Sequence, residues 1–371
     1  MTRTVAIVGG GYGGTLVARA LDDEADVVLI DPRDAFVNVA GQLRALTRPR
    51  WAPHTFFPYR TLLERGRVVR DAAASVDAAG VVLAGGGRVD ADYLVLATGS
   101  SYAFPARPRQ ASTAAALDEL AATHRQLARA GRVLILGAGP VGLELAGEIR
   151  EVWPDKRISV VDRSDTLLPR LLPEVRDDLR RQLKELDIDV QLSTSLRGLP
   201  PTESGTAGTF TVTTHPGTEI TADIWFRSFG SRVNTDYLAD GRLVGLADDG
   251  TVPVDDHLRV CGHANVYALG DIAHLAEAKM ATHAQTQALT VVDNLRAQLR
   301  GMPPEAVHDV APVPRILLPL GSRGGVGQLP APDGTAVAAP RETVIRRKGL
   351  DLFTARFAER FRAAGAPRPT A

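Results

Sequence analysis

The sequence begins with an arrangement that strongly limits how the chain can fold. Residues 4–9 form an apolar run, TVAIVG, that opens into GGGYGG with a G-x-G-x-x-G spacing at Gly9, Gly11 and Gly14. A helical pattern follows, and then a second apolar run, DVVLI, that ends at Asp31. Strand, glycine turn, helix and strand in this order are typical of a dinucleotide-binding βαβ unit.

The same arrangement occurs a second time in the middle of the chain. The run RVLILG leads into GAGPVG, with Gly137, Gly139 and Gly142 at the same spacing, and the run ISVVD ends at Asp162. One such loop is weak evidence, because glycine clusters also form ordinary turns. Two copies, each in its full strand–helix–strand context, predict an α/β fold with two Rossmann-like units.

Each glycine has a physical reason to be there. The first permits the tight turn, the second lets a pyrophosphate approach the backbone, and the third allows the helix to pack closely on the strand. The phosphates then face free N–H groups at the helix N-terminus. The loop residues Gly10, Tyr12 and Gly13 belong to the same predicted site. Asp31 and Asp162 are placed to accept hydrogen bonds from ribose hydroxyls.

Two further apolar runs end in turns that suit a cofactor. YLVLATGS ends at Thr98 and Gly99, and NVYALGD ends at Gly270 and Asp271. We expect Asp271 to hold a polyol hydroxyl, such as one of a flavin ribityl chain. For either segment alone, an ordinary turn at a strand end is an equally good interpretation.

Composition excludes several classes of protein. The 371 residues predict two or three domains. The 43 basic and 43 acidic residues cancel, which argues against a nucleic-acid partner. The single cysteine, Cys261, rules out an internal disulfide or a thiolate zinc site, and the dispersed histidines predict no metal site. The N-terminus runs straight into a strand, and no apolar run approaches the ~20 residues that span a bilayer, so we expect a cytoplasmic protein.

The order GGGYGG, ATGS, GAGPVGLE, NVYALGD resembles the pyridine-nucleotide flavoprotein reductase superfamily, which has the glutathione-reductase fold. The resemblance implies FAD on the first loop and at the late Gly-Asp turn, and NADH or NADPH on the second loop. It implies a discontinuous FAD domain over residues 1–105 and 256–305, with an NAD(P)H domain over 106–255 inserted in it. A short C-terminal α+β segment would cover 306–371.

Flanking stretches narrow the resemblance to one branch. AGQLRALTRPRWAPHTFFPY, KMATHAQTQA and LLPLGSRGGVGQ are similar to the apoptosis-inducing-factor-like, ferroptosis-suppressor branch, which adjoins the type II NADH:quinone oxidoreductases. The C-x4-C pair of the disulfide reductases is missing, which excludes thiol chemistry. The resemblance therefore implies an FAD-dependent NAD(P)H oxidoreductase with a quinone-like acceptor. A reductase of a small iron–sulfur protein and an NADH-sensing flavoprotein with poor turnover are the alternatives.

The resemblance also assigns individual residues around the two nucleotides. It places Arg44 at the FAD pyrophosphate, with a surface salt bridge as the alternative, and Ala73 beside the adenine. It places Glu144 next to the nicotinamide and flavin, although a helix N-terminus favours an acid for electrostatic reasons alone. Asp162 should accept from the 2′-hydroxyl of NADH and repel the 2′-phosphate of NADPH, so NADH is favoured.

The acceptor side is assigned to KMATHAQTQA, where Lys279 would stabilise negative charge and His283 or Gln285 would hydrogen-bond a quinone carbonyl. A histidine at a helix start is otherwise a cap or a surface residue. Near the C-terminus, residues 345–362 have apolar side chains at helical spacing and a basic face, which predicts a basic amphipathic helix. Such a helix would contact the inner face of a membrane; the alternatives are packing on the body of the protein or on the partner in a homodimer.

Overall fold

The computed structural model describes residues 2–310, residue 313 and residues 315–361. The strands are β1 Thr4–Val8, β2 Asp26–Ile30, β3 Ala35–Val37, β4 Phe56–Pro58, β5 Arg67–Val69, β6 Ala73–Asp77, β7 Gly80–Leu83, β8 Arg88–Asp90, β9 Tyr93–Leu96, β10 Ser100–Ser101, β11 Arg132–Leu136, β12 Arg157–Val161, β13 Ile188–Gln191, β14 Phe210–Thr213, β15 Glu219–Ala222, β16 Ile224–Arg227, β17 Arg232–Val233, β18 Val266–Ala268, β19 Ile316–Leu320, β20 Gly324–Pro330 and β21 Ala336–Ala338. The helices are α1 Gly14–Leu21, α2 Gln42–Thr47, α3 Thr113–Arg129, α4 Pro140–Val152, α5 Pro173–Glu185, α6 Ala281–Leu299, α7 Arg341–Val344 and α8 Thr354–Arg360, with a π-helical turn at Ile345–Gly349 between the last two.

The first parallel sheet has the strand order β18-β9-β1-β2-β5. Helices α1 and α6 pack together on one face, and the antiparallel sheet β6-β7-β8 covers the other. Because both faces are covered, β1 can be apolar throughout: Val5 to Val8 are at most 2 % exposed. Strand β18 comes from residues 266–268, so the chain leaves this sheet after β9 and returns to it much later.

The second parallel sheet lies between those two points of the sequence and has the order β13-β12-β11-β16. Its central strand β11 pairs with β12 on one side and with β16 on the other. Helices α4 and α5 pack against it, and the hairpin β14–β15 covers the apolar side chains of the opposite face. The predicted α/β fold with two Rossmann-like units is therefore confirmed.

The C-terminal segment packs on the second unit. Its antiparallel sheet β19-β20-β21 lies against α4 and α5. The close approach depends on Gly147 in α4, because a Cβ atom there would lie 2.7 Å from the backbone nitrogen of Gly321. No helix in the described ranges is long and apolar enough to cross a membrane.

The single amphipathic helix predicted over 345–362 is not present. The π-helical turn and α8 are separated at Leu352 and Phe353, whose φ angles are 49° and 65°, and Arg362 lies outside the described residues. The aromatic side chains of Phe357 in α8 and Phe361 just after it are buried against an aromatic cluster of the first unit. The segment packs on the body of the protein, which was one of the two alternatives to contact with a membrane.

Candidate functional site

The first glycine loop has the geometry that a dinucleotide needs. Gly9 has a φ of +104°, and a Cβ atom there would lie 2.5 Å from the carbonyl oxygen of Ala97. A Cβ atom on Gly14 would collide with the carbonyl oxygen of Gly9. At Gly11, by contrast, an added Cβ atom would meet none of the described residues within 4 Å. The turn and the packing are thus fixed by the outer glycines, and the middle one leaves open space above the start of α1.

The second glycine loop repeats this geometry closely. Gly137 has a φ of +112°, and a Cβ atom there would lie 2.7 Å from the carbonyl oxygen of Ser228. A Cβ atom on Gly142 would collide with the Gly137 carbonyl, and the space at Gly139 is again open among the described residues. The Ser228 carbonyl thus leaves no room for a side chain at position 137, as the Ala97 carbonyl leaves none at position 9. Sequence reasoning missed Ser228, although S-F-G-S after an apolar strand parallels A-T-G-S.

Both strand-end aspartates point back at their own glycine loop. Asp31 Oδ2 accepts a hydrogen bond from the Gly10 amide at 2.6 Å, and Asp162 Oδ2 accepts one from the Ala138 amide at 2.7 Å. Burial raises the pKa of Asp31. The matching contacts place one carboxylate beside each open loop, where a ribose hydroxyl of a nucleotide on the loop would lie.

The Thr98–Gly99 turn borders the first loop and is held by Asn234, which follows β17. The carbonyl oxygens of Thr98 and Gly99 accept from the side-chain and backbone nitrogens of Asn234, both at 2.9 Å. The Thr98 hydroxyl donates to the Asn234 carbonyl oxygen at 2.6 Å. Asn234 therefore fixes this turn beside Gly9, and no sequence pattern indicates this role.

The Gly270–Asp271 turn closes the other side of the first loop. Gly13 is in tight contact with this region, because a Cβ atom there would overlap the side chain of Leu269. Asp271 Oδ2 accepts a hydrogen bond from the Ser100 hydroxyl at 2.5 Å. The structure thus brings together the first glycine loop, the turn at Thr98 and the Asp271 carboxylate, as the sequence predicted.

Arg44, predicted at the FAD pyrophosphate, is engaged elsewhere. Its side chain is 3 % exposed and pairs with Glu148 of α4 at 2.8 Å. The same guanidinium donates to the carbonyl oxygens of Gly349 and Leu350 at 2.7 and 2.9 Å. Arg44 therefore links α2, α4 and the C-terminal segment, and most of its donors are already used. The pairing is buried, unlike the surface salt bridge considered as the alternative.

A different arginine, Arg107, lies between the first glycine loop and Asp271. Its guanidinium lies 3.9 Å from Asp271 and makes no hydrogen bond among the described residues. Its other electrostatic neighbours are Tyr12 of the glycine loop and Arg33, next to Asp31, and burial lowers its pKa. Arg107 thus lies between the predicted ribityl and adenosine ends of the site. Sequence reasoning missed it because its stretch, ARPRQ, has no distinctive spacing.

The side chains of Tyr12 and Ala73 make contacts outside the loop. The Tyr12 hydroxyl donates to Asn38 Oδ1 at 2.9 Å and accepts from the Ala40 amide at 3.2 Å. Burial raises the pKa of Tyr12 to about 12, so its hydroxyl stays protonated near neutral pH. Ala73 begins β6 and pairs with Leu83 in the outer sheet. Its role beside the adenine stays a prediction.

Glu144 lies on α4, two residues after Gly142, and has a partner that sequence reasoning missed. Its Oε1 accepts a hydrogen bond from Lys348 Nζ at 2.7 Å, and the two side chains are 12 % and 17 % exposed. Lys348 also donates to the Leu317 carbonyl oxygen at 3.1 Å. Burial raises the pKa of Glu144, while the Lys348 ammonium opposes that shift. No local pattern signals this partner, because the two residues lie 204 positions apart in the sequence.

Lys279 and His283 line a small cleft together with Gly270 and Asp271. Lys279 is exposed at the rim of the cleft. His283 is 7 % exposed, and its Nδ1 lies 2.8 Å from the carbonyl oxygen of Ala278. That contact places the ring proton on Nδ1 and leaves Nε2 as an acceptor.

Gln285 turns away from the Gly270–Asp271 turn. Its side-chain oxygen accepts from Arg360 of α8 at 3.1 Å, and its nitrogen donates to the Ala281 carbonyl oxygen at 3.0 Å. The glutamine that contacts the turn is Gln287, whose Oε1 accepts from the Gly270 amide at 2.6 Å. Among the described residues, no group of three histidine, cysteine or acidic side chains is arranged to hold a metal ion.

Comparison with known proteins agrees with this geometry. The model of the pyridine nucleotide-disulphide oxidoreductase family matches residues 3–288. Ferroptosis suppressor protein 1 of Taeniopygia guttata is 32 % identical over 362 residues, which cover 95 % of this chain and 94 % of the relative.

Solved structures share the fold at lower identity. The sulfide:quinone oxidoreductase of Aquifex aeolicus superposes with a TM-score of 0.74 at 16 % identity, covering 97 % of this chain and 91 % of that one. NDH2 of Plasmodium falciparum, solved in complex with NADH, superposes with a TM-score of 0.68 at 14 % identity and covers 97 % of both chains. At these identities the likeness shows the fold alone.

Proposed function

Because this chain belongs to the pyridine nucleotide-disulphide oxidoreductase family, in the branch of ferroptosis suppressor protein 1, we propose that it oxidises NADH and reduces a quinone-like acceptor. The chain is an NAD(P)H-dependent flavin oxidoreductase. The acceptor and the preference for NADH over NADPH are the parts that we propose.

The observation that carries the proposal is the pair of matched glycine loops, each with open space at its middle glycine and a carboxylate beside it. The residues of the first loop fit FAD: the backbone at Gly11 can face the pyrophosphate, Asp31 the ribose and Asp271 the ribityl chain. We propose Arg107, rather than Arg44, as the arginine at the pyrophosphate, since its donors have no hydrogen-bond partner in the described chain. Bound there, the flavin supplies the ability to accept a hydride and pass on two electrons.

The second loop is proposed to hold the nicotinamide coenzyme. The Asp162 carboxylate lies where it can accept from the 2′-hydroxyl of NADH, and its charge would repel a 2′-phosphate. Arg163 follows it and is exposed to solvent, so it does not neutralise the carboxylate in this structure. Glu144, on the first turns of the same loop's helix, would lie beside the nicotinamide.

Residue chemistry supports a quinone-like acceptor over a thiol. The chain has one cysteine, Cys261, so it holds no pair of thiols that could be oxidised to a disulfide. The cleft next to the Gly270–Asp271 turn instead offers a cation, Lys279. In the tautomer described above, His283 Nε2 could accept from a hydroxyl of the hydroquinone product but could not donate to a quinone carbonyl, contrary to the role predicted for it. An ammonium near a quinone oxygen would stabilise the negative charge that develops there during reduction.

The proposal is tested by following the flavin absorbance in two anaerobic half-reactions. NADH is mixed with the oxidised protein first, and a soluble quinone is mixed with the reduced protein second. Glu144→Gln should slow the first step, and Lys279→Met should slow the second. Lys184→Met, at an exposed position of α5, serves as the matched control and should change neither. The proposal is contradicted if NADH reduces the protein rapidly but quinone does not reoxidise it. That result would favour a protein acceptor or an NADH sensor.

A further inference from the structure

A buried histidine–glutamate pair lies behind the acceptor cleft. His308 Nε2 and Glu277 Oε2 are 3.1 Å apart, and their side chains are 5 % and 4 % exposed. The two residues are 31 positions apart in the sequence, so the fold and not a local turn brings them together.

The inner end of the pair reaches the cofactor turn. Glu277 lines the same cleft as Lys279 and His283. Its Oε2 also accepts a hydrogen bond from Gln287 Nε2 at 2.8 Å, and Gln287 Oε1 accepts from the Gly270 amide at 2.6 Å. The carboxylate is therefore one side chain away from the Gly270–Asp271 turn and borders the cleft directly.

The outer end of the pair lies just below the surface. His308 is flanked by Val307, which is 52 % exposed, and by Asp309, which is also exposed. The segment is held in place by the His308 amide, which donates to the Asp256 carbonyl oxygen at 2.8 Å, and by hydrogen bonds between Ala306 and Asn294. The imidazole is thus fixed between solvent and a buried carboxylate.

A purely structural role explains this pair poorly. Taking an ionisable pair out of water is costly, and apolar side chains of similar volume would hold two segments together at least as well. The Gly270 amide is already satisfied by Gln287 without the histidine. An imidazole and a carboxylate in contact can, however, pass a proton between them.

Reduction of a quinone requires such a proton. The acceptor gains two electrons and two protons when it becomes a hydroquinone, whereas the hydride of NADH carries two electrons and one proton. The second proton has to come from water. We propose that His308 and Glu277 carry this proton from solvent into the acceptor cleft.

In this relay, water first protonates the His308 imidazole, and the resulting imidazolium gives its Nε2 proton to Glu277 Oε2, which leaves the imidazole neutral again. Glu277 then releases the proton into the cleft that also holds Lys279 and His283, where an oxygen of the acceptor takes it up. Electrons and protons balance: NADH, one proton and the quinone give NAD⁺ and the hydroquinone. The relay rests on the proposed function.

The test compares two electron acceptors that differ in their need for protons. A soluble benzoquinone takes up two protons on reduction, and ferricyanide takes up none. His308→Ala should slow reoxidation of the NADH-reduced protein by benzoquinone by roughly 10²-fold, as expected for loss of a proton-transfer group. The rate of reoxidation by ferricyanide should stay within about twofold of the wild-type rate. Added imidazole should restore the rate of reoxidation by benzoquinone.

Two further variants separate the relay from a loss of structure. Glu277→Gln keeps a polar group at the inner end of the pair but cannot carry the proton. It should therefore slow reoxidation by benzoquinone, leave reoxidation by ferricyanide unchanged, and not be rescued by imidazole. His263→Ala, which removes a histidine bonded to the Leu243 carbonyl oxygen, is the matched control. An equal loss with both acceptors, or no loss in either variant, overturns the relay. A wild-type protein that benzoquinone does not reoxidise overturns the proposed function first, and the relay falls with it.

Discussion

Gly11 and Gly139 differ from the other four glycines at the G-x-G-x-x-G positions, because a side chain at either position would meet no described atom within 4 Å. Neither has a left-handed backbone, so a larger residue can be accommodated without strain. The folded protein should therefore tolerate valine there, while the side chain would fill the space in which we propose that a pyrophosphate binds. On that proposal, glycine at these positions serves ligand binding and not folding.

We predict that Gly11→Val and Gly139→Val each weaken one nucleotide and leave the other unchanged. Loss of a charge-assisted hydrogen bond costs about 1.5–3 kcal/mol, roughly 10- to 10²-fold in Kd. Gly11→Val should raise the Kd of FAD by that factor, and Gly139→Val the Kd of NADH with FAD retained. Flavin fluorescence and titration with NADH measure the two constants.

The control for these variants is Gly14→Val, whose side chain would collide with the Gly9 carbonyl. It should unfold the cofactor-free protein, which the two middle-glycine variants should leave within about 0.5 kcal/mol of its normal stability. Full FAD retention in Gly11→Val would show that the first loop does not hold the dinucleotide as we describe.

At the scale of elements, α2 and α4 are joined by ion pairs, and the two glutamates that form them differ in how deeply they are buried. Glu148 is 4 % exposed and accepts from both Arg44 and Arg48, whereas Glu151, one turn further along α4, is 30 % exposed and pairs with Arg48 at 3.0 Å. The same substitution at the two positions therefore separates the effect of burial from the effect of charge.

We predict that Glu148→Gln destabilises the protein by about 3–5 kcal/mol, because it leaves the buried Arg44 guanidinium without a counter-charge. Glu151→Gln should cost only about 0–1 kcal/mol, as expected for an exposed pair. Denaturant titrations of the cofactor-free variants measure both values. Equal costs would mean that Arg44 is solvated in the absence of FAD and free to serve the pyrophosphate after all.

The elements also show what could be predicted from the sequence. The glycine loops, Asp31 and Asp162 were predictable because each unit is local and its periodicity and turn residues lie within about thirty positions. Of the apolar positions predicted in the C-terminal segment, Phe357 and Phe361 are buried, whereas Leu350 is 58 % exposed. The division of this segment into two pieces was not predictable, because the positive φ angles of Leu352 and Phe353 are imposed by packing on the first unit.

Site residues that depend on distant partners could not be predicted in the same way. Arg44 lies 104 positions from Glu148, and Glu144 lies 204 positions from Lys348. No local pattern records such pairs. The position of Arg107 near Asp271 likewise follows only from the return of the chain to the first sheet at β18.

At the scale of the whole molecule, the C-terminal segment connects the two Rossmann-like units. Asn38 of the first unit donates to the Leu352 carbonyl oxygen at 2.8 Å, and Arg360 donates to the Tyr12 carbonyl oxygen at 3.3 Å. On the other side, Lys348 pairs with Glu144 of the second unit. The segment thus holds α4, and with it the proposed nicotinamide site, in a fixed relation to the first glycine loop.

The pairing of Lys348 with Glu144 makes this connection dependent on pH. Burial raises the pKa of Glu144 above its value in the unfolded chain, so the folded protein binds that proton more tightly. The contribution of Glu144 to stability is therefore largest at low pH. It falls as the pH rises from the pKa of Glu144 in the unfolded chain through its pKa in the folded protein. Removing the Lys348 ammonium, which opposes the shift, should raise the pKa further and extend the range over which stability falls.

We predict that Lys348→Met destabilises the protein at pH 8 by up to about 3–5 kcal/mol, because the Glu144 carboxylate is then left buried and unpaired. The cost should be clearly smaller at pH 5, where more of Glu144 is protonated. Arg347→Met removes a neighbouring exposed charge and should cost about 0.5 kcal/mol or less at both values. The double variant Glu144→Gln/Lys348→Met should lose the pH dependence, because no buried carboxylate remains. Denaturant titrations at the two pH values decide the matter: an equal cost for Lys348→Met at pH 5 and pH 8 would mean that solvent, and not Lys348, keeps the Glu144 carboxylate charged in the folded protein.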